Sequence, residues 1–505
     1  MENSNSSLLL LFCFICTFIY FLASGRRGSR SGSPKLPPGP IPLPLVGNLF
    51  KLGNKPHEAL TELAKAYGPV MTLKLGCLTT VVISSSSMAK EVLRKNDQAL
   101  SARTIPDSVR ACNHHQVSMV WLPPSLQWRN LRKFCNTEIF SSKKLDSMQG
   151  LRCQKVEELV AYVHNNSRAG RAVNIGLAAS VTSLNLLSNT FFSVDLVHLG
   201  SDSAQDFKTL IWAVMEEVGR PNLADYFPIL RWIDPQGVKR RLSSHFQRLF
   251  EIFDEMIDQR LQLRASLTSP TYNSDVLDVL LNHTIDNYSE FGWKSPTDLR
   301  NFLLDLFVAG TDTTSSTLEW AMAELLRKPE ALVKARMELE ETIQKGKSIE
   351  ESDIVRLPYL QAVVKETFRL HPPAPLLVPR RSDIDVEICG FTVPKDAQVL
   401  VNVWAIGRDP TKWENPHCFS PDRFLNSAIG FNGQDFDLIP LGAGRRICPG
   451  LPLAFRMVHS MLASLLHSFD WKLEDGTTPE QMDMDDCFGL TLQKAEPLMA
   501  VPVHV

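Results

Sequence analysis

The sequence lacks an excess of either charge: its 505 residues carry a formal net charge of −2 at pH 7. Nucleic-acid-binding proteins leave a basic patch or an overall basic excess as their electrostatic signature. The balance therefore gives no reason to expect nucleic acid as a partner.

Paired cysteines are also missing. The ten cysteines form no Cys-x-x-Cys pair outside the N-terminal apolar run, where Cys13 and Cys16 are most simply small hydrophobic residues. A chain of this length needs no disulfide scaffold, and the scattered spacing is typical of reduced thiols that face the cytosol.

Two further patterns are absent from the sequence. Beyond Asn48 there is no internal repeat and no second linker as strong as the first, which favours one large domain over residues 49–505. No Gly-x-Gly-x-x-Gly nucleotide-binding pattern occurs either. If the protein carries out redox chemistry, a separate partner must therefore supply the electrons.

Residues 1–25 contain one long run without a charge, Leu8–Ala23. The run is slightly short for a bilayer span of about 20 residues, although flanking small residues could extend it. Glu2 precedes the run, and arginines follow it at positions 26, 27 and 30. A cleaved signal peptide would carry its positive charge before the run. We therefore expect an uncleaved single-pass anchor that leaves the rest of the chain in the cytosol.

A basic and Pro-rich hinge is predicted over residues 26–48, most of it in the stretch "PKLPPGPIPLPLVGN". Proline fixes φ and pushes the preceding residue into an extended conformation, so this connector is stiff and not helical. After an anchor, such a hinge would set how the body of the protein leaves the bilayer.

The remaining pattern predicts a fold that is mainly α with small β-sheets. Residues 70–84 indicate a hairpin around a Gly-Cys turn, and residues 376–403 contain further short extended runs. From about 140 to 370 the periodicity is helical, with breaks at 219–237 and 266–275.

The longest predicted helix begins at Ser295-Pro296-Thr297-Asp298, where a capping residue precedes a proline and an acid. The next proline is Pro329, so the helix would span about 48 Å and run through the core. Its middle holds "AGTDTT", Ala309–Thr314, whose glycine and polar residues are poor helix formers. One interpretation is a tolerated kink with threonine bonded back to a carbonyl. The other is a locally opened helix that presents an acid and a hydroxyl to a bound group.

Two arginine-containing stretches follow the long helix. In "KETFR", Glu366 and Arg369 share a helix face, although this spacing alone is a weak signal. "SPDRF" adds Arg423, which could complete a buried ionic network with that pair.

One cysteine lies in a loop with three glycines, two adjacent arginines and a proline directly after the cysteine, "PLGAGRRICPG". A Cys448 thiolate held among backbone N–H groups near Arg446 would be stabilised as an anion, which a metal ligand requires. Zinc is a poor fit because no second cysteine or histidine lies nearby at ligand spacing. A single thiolate suffices when the other ligands arrive with the metal, as they do in haem.

Together these stretches resemble the cytochrome P-450 superfamily along the whole chain. The cysteine loop resembles its haem-binding signature, "KETFR" its Glu-x-x-Arg pair, "AGTDTT" its oxygen-activation motif and "SPDRF" its Pro-x-Arg-Phe motif. "WRNLR", Trp128 to Arg132, resembles the Trp-x-x-x-Arg of the helix that covers the haem. The signature's leading Phe is Leu441 here, a change that could tune the redox potential without preventing haem binding.

The resemblance implies a role for each matching residue. Cys448 would be the axial ligand of heme b, and Asp312 and Thr313 would deliver protons to the activated oxygen. The residues implied to bind the haem propionates are Trp128, Arg132, Arg380 and Arg446. The residues implied to hold the fold on the proximal side are Glu366, Arg369 and Arg423. The implied partners are dioxygen, NADPH-cytochrome P-450 reductase and the endoplasmic reticulum membrane.

"NLADYFPIL" and "FVAGTDTTSSTLEWAM" are similar to the plant geraniol-hydroxylase-like group. The expected activity is hydroxylation of a small hydrophobic plant metabolite, foremost a terpenoid such as a monoterpene alcohol or a diterpene. A phenolic or tyrosine-derived alkaloid precursor is the alternative substrate. Rival functions are a haem-thiolate isomerase or dehydratase that does not use dioxygen, and a non-catalytic haem or ligand-binding protein. His114 and His115, in a stretch implied to face the substrate, are expected to be solvated or to contact it.

Overall fold

A computed structural model describes residues 35–266, 275–287, 296–474 and 476–504. The predicted anchor and the first part of the hinge lie outside these residues. So do Ser295 and most of the predicted break at 266–275.

The described residues form fifteen α-helices with short 3₁₀ and π turns between some of them. In chain order they are α1 (Pro56–Tyr67), α2 (Ser86–Lys90), α3 (Leu126–Phe134), α4 (Ser142–Ser147), α5 (Gln149–Arg168), α6 (Ile175–Phe192), α7 (Asp202–Gly219), α8 (Leu223–Tyr226), α9 (Val238–Ser266), α10 (Val276–Asn287), α11 (Pro296–Arg327), α12 (Pro329–Thr342), α13 (Pro358–Leu370), α14 (Val403–Ile406) and α15 (Leu451–Ser468).

The strands are short and form four small sheets among the described residues. In chain order they are β1 (Val70–Leu75), β2 (Leu78–Ile83), β3 (Ala102–Arg103), β4 (Val173–Asn174), β5 (Arg380–Arg381), β6 (Val386–Ile388), β7 (Phe391–Val393), β8 (Gln398–Val401), β9 (Phe469–Leu473), β10 (Asp486–Phe488), β11 (Leu492–Lys494) and β12 (Met499–His504). The largest sheet has the order β1-β2-β8-β5-β3. The prediction of a mainly α fold with small sheets is confirmed.

The predicted hairpin is the antiparallel pair β1–β2, in register from Val70 opposite Ile83 to Leu75 opposite Leu78. Gly76 opens its turn with φ +56°, a left-handed conformation that glycine adopts without a Cβ clash. The run "QVLVNVWAI" is extended only as far as β8. Its last residues form α14 because the Asn402 side chain caps a helical turn by accepting the N–H of Ala405 at 3.0 Å.

The central helix α11 runs from Pro296 to Arg327 without a break, as the sequence predicts. Two hydrophobic clusters pack against its two halves, and along this helix one ends at Val308 and the other begins at Leu318. The polar stretch Ala309–Thr314 therefore lies where neither cluster encloses the helix.

One helix of the described part, α6, is long and apolar enough to cross a membrane. However, 89% of its apolar window is buried inside the protein, against α11 and α5. It is accordingly a core helix of the fold.

Candidate active site

The loop that carries Cys448 is shaped by its glycines. Gly442 and Gly444 have φ of +72° and +70°, and a Cβ on Gly444 would lie 2.1 Å from the Leu93 carbonyl oxygen. Larger residues would therefore displace the loop. The backbone N–H of Cys448 donates to the Leu441 carbonyl at 3.0 Å, which closes the loop directly before α15.

The Cys448 thiol experiences opposing effects on its pKa. Burial raises it, while the backbone N–H groups of Gly450 and Leu451 and the nearby guanidinium of Arg132 lower it. Those N–H groups belong to the first turn of α15, where helices leave donors unused. Burial outweighs these donors, so the net effect is a raised thiol pKa, and the anion-stabilising role of the loop stays a prediction; a bound metal ion would favour the thiolate.

Two arginines, Arg446 within this loop and Arg380 on β5, donate to backbone carbonyls between Leu100 and Leu122; Arg380 is buried and Arg446 half-buried. Arg446 donates to the carbonyls of Ser101 at 2.9 Å, Met119 at 3.3 Å and Leu122. Arg380 donates to the carbonyl of Leu100 at 3.2 Å. Burial and neighbouring arginines lower the pKa of Arg446 to about 9, and burial lowers that of Arg380 to about 10.

Helix α3 supplies the remaining predicted haem-binding residues. Trp128 is buried, and its Nε1–H donates to the Met119 carbonyl at 3.2 Å. Its ring lies 4.4 Å from the Arg446 guanidinium. Arg132 follows one turn later on the same helix, and burial lowers its pKa while the nearby Cys448 opposes that shift. The structure thus brings together Trp128, Arg132, Arg446 and Cys448.

Sequence reasoning missed a fourth arginine of this cluster. Arg103 on β3 is 9% exposed and donates to the carbonyls of Val120 and Val378. Burial, together with Arg380 and Arg446, lowers its pKa well below the usual range. It belongs to no motif, and an arginine in a short strand after Leu100 gives no signal that could have identified it.

This cluster fits a dianionic cofactor. The nearest acid the structure places beside it is Asp97, 3.5 Å from Arg380 and shared with the exposed Arg445. One carboxylate cannot neutralise four guanidiniums, of which Arg103 and Arg380 are buried and Arg132 and Arg446 half-buried, and unpaired buried charges are costly. Two propionates next to a thiolate ligand match both the sign and the position of the missing charge.

The turn of the central helix that neither hydrophobic cluster encloses, Ala309–Thr314, has small residues on one face. Ala309 is exposed and Thr313 half-buried, whereas Val308 and Asp312 are buried. The Thr313 Oγ1–H donates to the Ala309 carbonyl at 2.7 Å. The helix is continuous here, so the expected local opening is wrong: the hydroxyl bonds one turn back and leaves the backbone ladder intact.

Asp312 lies on another side of the same turn. Its carboxylate accepts hydrogen bonds from the Thr491 hydroxyl at 2.6 Å and from the Gln493 amide. Burial raises its pKa, and these two donors oppose the shift. The sequence placed Asp312 beside Thr313 but gave no sign of Thr491 and Gln493, which are contributed by strand β11 and the residue before it.

The predicted ionic network on the other side of the cysteine loop is present. Glu366 and Arg369 are fully buried and joined by two hydrogen bonds of 2.7 Å. Arg423 Nε lies 3.1 Å from a Glu366 oxygen, and Arg369 also donates to the carbonyls of Gly407 and Pro416. The network ties α13 to the chain that leads into the cysteine loop.

A cavity, here called the lateral cavity, opens between the β1–β2 hairpin, the loop at 104–106, the segment 218–231 and the β10–β11 turn. Most of its lining is aliphatic or aromatic, including Leu60, Leu73, Ile105, Leu376, Phe488 and Leu490. It suits a small apolar molecule with few polar groups.

His114 and His115, which were expected to be solvated or to contact the substrate, have different surroundings. His114 is buried, with Nδ1 2.9 Å from Asn301 Oδ1 and Nε2 3.0 Å from Asp305 Oδ1. It therefore fastens the loop before α3 to the central helix. His115 is half-buried beside Arg110, and burial lowers its pKa.

The chain matches the protein family described as "Cytochrome P450" over residues 37–500. It is 55% identical over 501 residues to geraniol 8-hydroxylase of Swertia mussotii, with 99% of each chain covered. It is 49% identical to drimenol monooxygenase of Persicaria hydropiper, with 99% of this chain and 97% of that one covered. A solved structure described as "Zebra fish cytochrome P450 another structure with Progesterone" aligns with a TM-score of 0.74 and 24% identity, over 88% of this chain and 99% of that chain. The last likeness shows the fold alone.

Proposed function

Because the chain belongs to the cytochrome P450 family, we propose that it is a membrane-bound haem-thiolate monooxygenase that hydroxylates a small terpenoid. The observation that carries the proposal is the arrangement of Cys448 beside four clustered arginines, two of them buried and two half-buried, which supplies one thiolate ligand and surplus positive charge. The cofactor we propose is heme b.

Each residue of the site has a proposed part. Cys448 would coordinate the iron, and its thiolate would be kept anionic by the N–H groups of Gly450 and Leu451. When bound in this way, haem supplies an electron-rich iron that activates dioxygen. The propionates would be bound by Arg132, Arg380 and Arg446. Because the Trp128 N–H already donates to Met119, we propose that Trp128 acts by holding Arg446 in place.

Proton delivery is proposed for the central helix. The Thr313 hydroxyl lies on the exposed face of α11 and bonds only to a carbonyl of its own helix in the contacts described. Rotation about its Cα–Cβ bond would exchange this bond for one to a group bound over the face of α11 at Ala309. Asp312, one residue earlier, is the acid that would resupply the proton. An isomerase or dehydratase would need no such relay, so this pair favours the monooxygenase.

The proposed substrate class is supported chiefly by the relatives, and secondarily by the lateral cavity, whose lining includes no residue of the central helix. The cavity lining is mainly aliphatic, and the relatives named above are described as acting on geraniol and drimenol, both small terpenoid alcohols. We propose a terpenoid of similar size. A tyrosine-derived phenol is the alternative substrate, since the lining also holds polar side chains such as Asp225, Tyr226 and Gln398.

The proposed location is the cytosolic face of the endoplasmic reticulum, with electrons from NADPH-cytochrome P-450 reductase. Support comes from large hydrophobic side chains that are about four-fifths or more exposed: Ile41, Phe50, Ile229 and Trp232. Their two segments meet at the turn of the β1–β2 hairpin, since the N–H of Gly76 donates to Val46 and that of Cys77 to Tyr226. Both segments therefore carry exposed apolar side chains near the same turn, and we infer that a membrane would cover them.

The test combines spectroscopy and turnover. Reduced protein with carbon monoxide should absorb near the wavelength typical of thiolate-ligated haem, and Cys448→Ser should abolish that band. Exposed Cys77→Ser is the matched control. With reductase and NADPH, the wild type should hydroxylate a member of a terpenoid panel that includes geraniol. Retention of the band by Cys448→Ser, or isomerisation without NADPH, would overturn the proposal.

A further inference from the structure

The Asp312 carboxylate is held from outside its own helix. Its side chain is buried, and each of its two oxygens accepts one hydrogen bond, from Thr491 Oγ1 at 2.6 Å and from Gln493 Nε2 respectively. Both partners donate, and donors favour the ionised form of a carboxylate. The contact therefore fixes where the carboxylate points and opposes its uptake of a proton.

The two donors reach one carboxylate because of strand geometry. Thr491 immediately precedes β11 and Gln493 lies within it, so the two side chains are two residues apart and share a face of the strand. The strand is fixed to the central helix independently: the Ser316 hydroxyl donates to the Leu492 carbonyl at 2.7 Å. The backbone of β11 is thus anchored even without the contacts to Asp312.

Two further charged groups act on Asp312 from the elements around it. Lys208 on α7 favours the ionised carboxylate, and Glu319 on α11 disfavours it. Burial has the largest influence and raises the pKa, against which the two neutral donors work.

We propose that Thr491 and Gln493 are positioning residues for proton delivery, holding the Asp312 carboxylate in place and tuning its exchange of protons with the site at Thr313. This inference rests on the proposed function, because it assigns a role within the proposed monooxygenase reaction. Neither residue touches the reacting atoms; both act through Asp312.

The experiment compares Thr491→Val with Thr491→Ser in the full-length, haem-loaded protein with reductase. Valine keeps the shape and removes the donor, whereas serine keeps the hydroxyl. We expect Thr491→Val to release several times more hydrogen peroxide per NADPH than the wild type. The fraction of NADPH that yields product, called the coupling, should change with pH along a curve shifted to higher pH by about one unit. A shift of that size corresponds to the free energy of one lost hydrogen bond. Thr491→Ser should restore most of both properties, and Gln493→Leu should behave like Thr491→Val.

Two controls separate positioning from general loosening. Ser316→Ala removes an anchor of the same strand without touching Asp312, so it should leave the pH profile unshifted. The second control measures thermal stability and does not depend on catalytic activity. Loss of the Thr491 donor should lower the thermal stability of the protein more at pH 8 than at about pH 5, because only the ionised carboxylate needs the donor. In an Asp312→Asn background this pH dependence should vanish.

The outcomes distinguish this inference from the proposed function. If the wild type binds haem and hydroxylates its substrate, but Thr491→Val and Gln493→Leu keep the wild-type pH profile and coupling, the positioning role is refuted while the function stands. If the wild type forms no NADPH-dependent product, the proposed function fails first. An equal shift of the pH profile in Ser316→Ala would also contradict the role, because it would show that loosening of β11, and not loss of the contact to Asp312, causes the shift.

Discussion

Arg446 and Trp128 donate hydrogen bonds to the same acceptor, the carbonyl oxygen of Met119, at 3.3 and 3.2 Å. The Met119 N–H in turn donates to Asp305 on the central helix at 2.7 Å. One residue of the loop before α3 therefore links the proposed propionate-binding residues to the helix on which oxygen would be activated.

Arg446→Leu should weaken haem retention. A hydrogen bond to a charged group contributes about 1.5–3 kcal/mol, so roughly ten- to a hundredfold weaker binding is expected. The measurement is haem content after gel filtration, together with the rate of haem transfer to apomyoglobin. Arg445→Leu, at the exposed neighbouring position, should behave like the wild type. Equal retention by both variants would remove Arg446 from the site.

Thr313→Ala should separate NADPH consumption from product formation. The substitution removes the hydroxyl but leaves the helix and its apolar contacts in place, and proton-relay groups contribute about 10²–10⁴-fold. Product should fall while NADPH oxidation continues and hydrogen peroxide accumulates. Thr317→Ala, one turn later, removes a hydroxyl that also bonds back to a carbonyl and should have little effect. Wild-type coupling in Thr313→Ala would assign the relay elsewhere.

Glu366→Gln should destabilise the whole fold. It leaves the fully buried Arg369 guanidinium without a counter-charge, and breaking a buried pair from one side costs about 3–5 kcal/mol. Urea denaturation followed by tryptophan fluorescence measures the loss. Glu387→Gln, at an exposed position in β6, is the control and should change the free energy of unfolding little. A Glu366→Gln protein as stable as the control would show that the network is dispensable.

Asp225→Asn should stabilise the protein at neutral but not at acidic pH. Burial raises the pKa of Asp225 to about 6; the Asp107 backbone N–H, which donates to this carboxylate, and the guanidiniums of Arg231 and Arg110 oppose the shift, while the Asp107 carboxylate adds to it. The folded state then binds the proton more tightly than the unfolded state, so stability falls as pH rises from about 4 to about 6. The variant's melting temperature should match the wild type near pH 4 and exceed it near pH 8, where the gain in free energy of unfolding is at most about 3 kcal/mol.

The control for this pH dependence is Asp258→Asn at an exposed position of α9, for which the difference from wild type should not change with pH. A pH-independent difference for Asp225→Asn would show that its carboxyl titrates normally in the folded state.

The orientation of the protein is tested in sealed microsomes. The arginines at positions 26, 27 and 30 follow the N-terminal apolar run, which predicts a body on the cytosolic side. Added protease should therefore digest the body without detergent. Protection of the full-length chain until detergent is added would place the body in the lumen.

Sequence reasoning succeeded where the chemistry is local in the chain. Each of three features is specified by a short stretch of sequence. Glycines specify the cysteine loop, helix spacing specifies the Glu366–Arg369 pair, and capping residues specify the start of the central helix at Pro296. It failed where distant residues meet: Gln493 lies 181 positions from Asp312, and Arg103 reaches the Val378 carbonyl across 275 positions. Such contacts depend on how the strands pack, which no local pattern encodes. His114 was misread for the same reason, because its partner Asp305 lies on the central helix.

The cluster of four arginines has a consequence for the protein in the cell. Before the cofactor arrives, their mutual repulsion weakens the closure of the loop before α3 onto the cysteine loop, and ligand binding to the folded state alone removes that penalty. Newly made chains would then open more often and present their apolar core to chaperones and proteases. The steady-state amount of the enzyme should thus follow the cell's supply of haem as well as transcription of its gene.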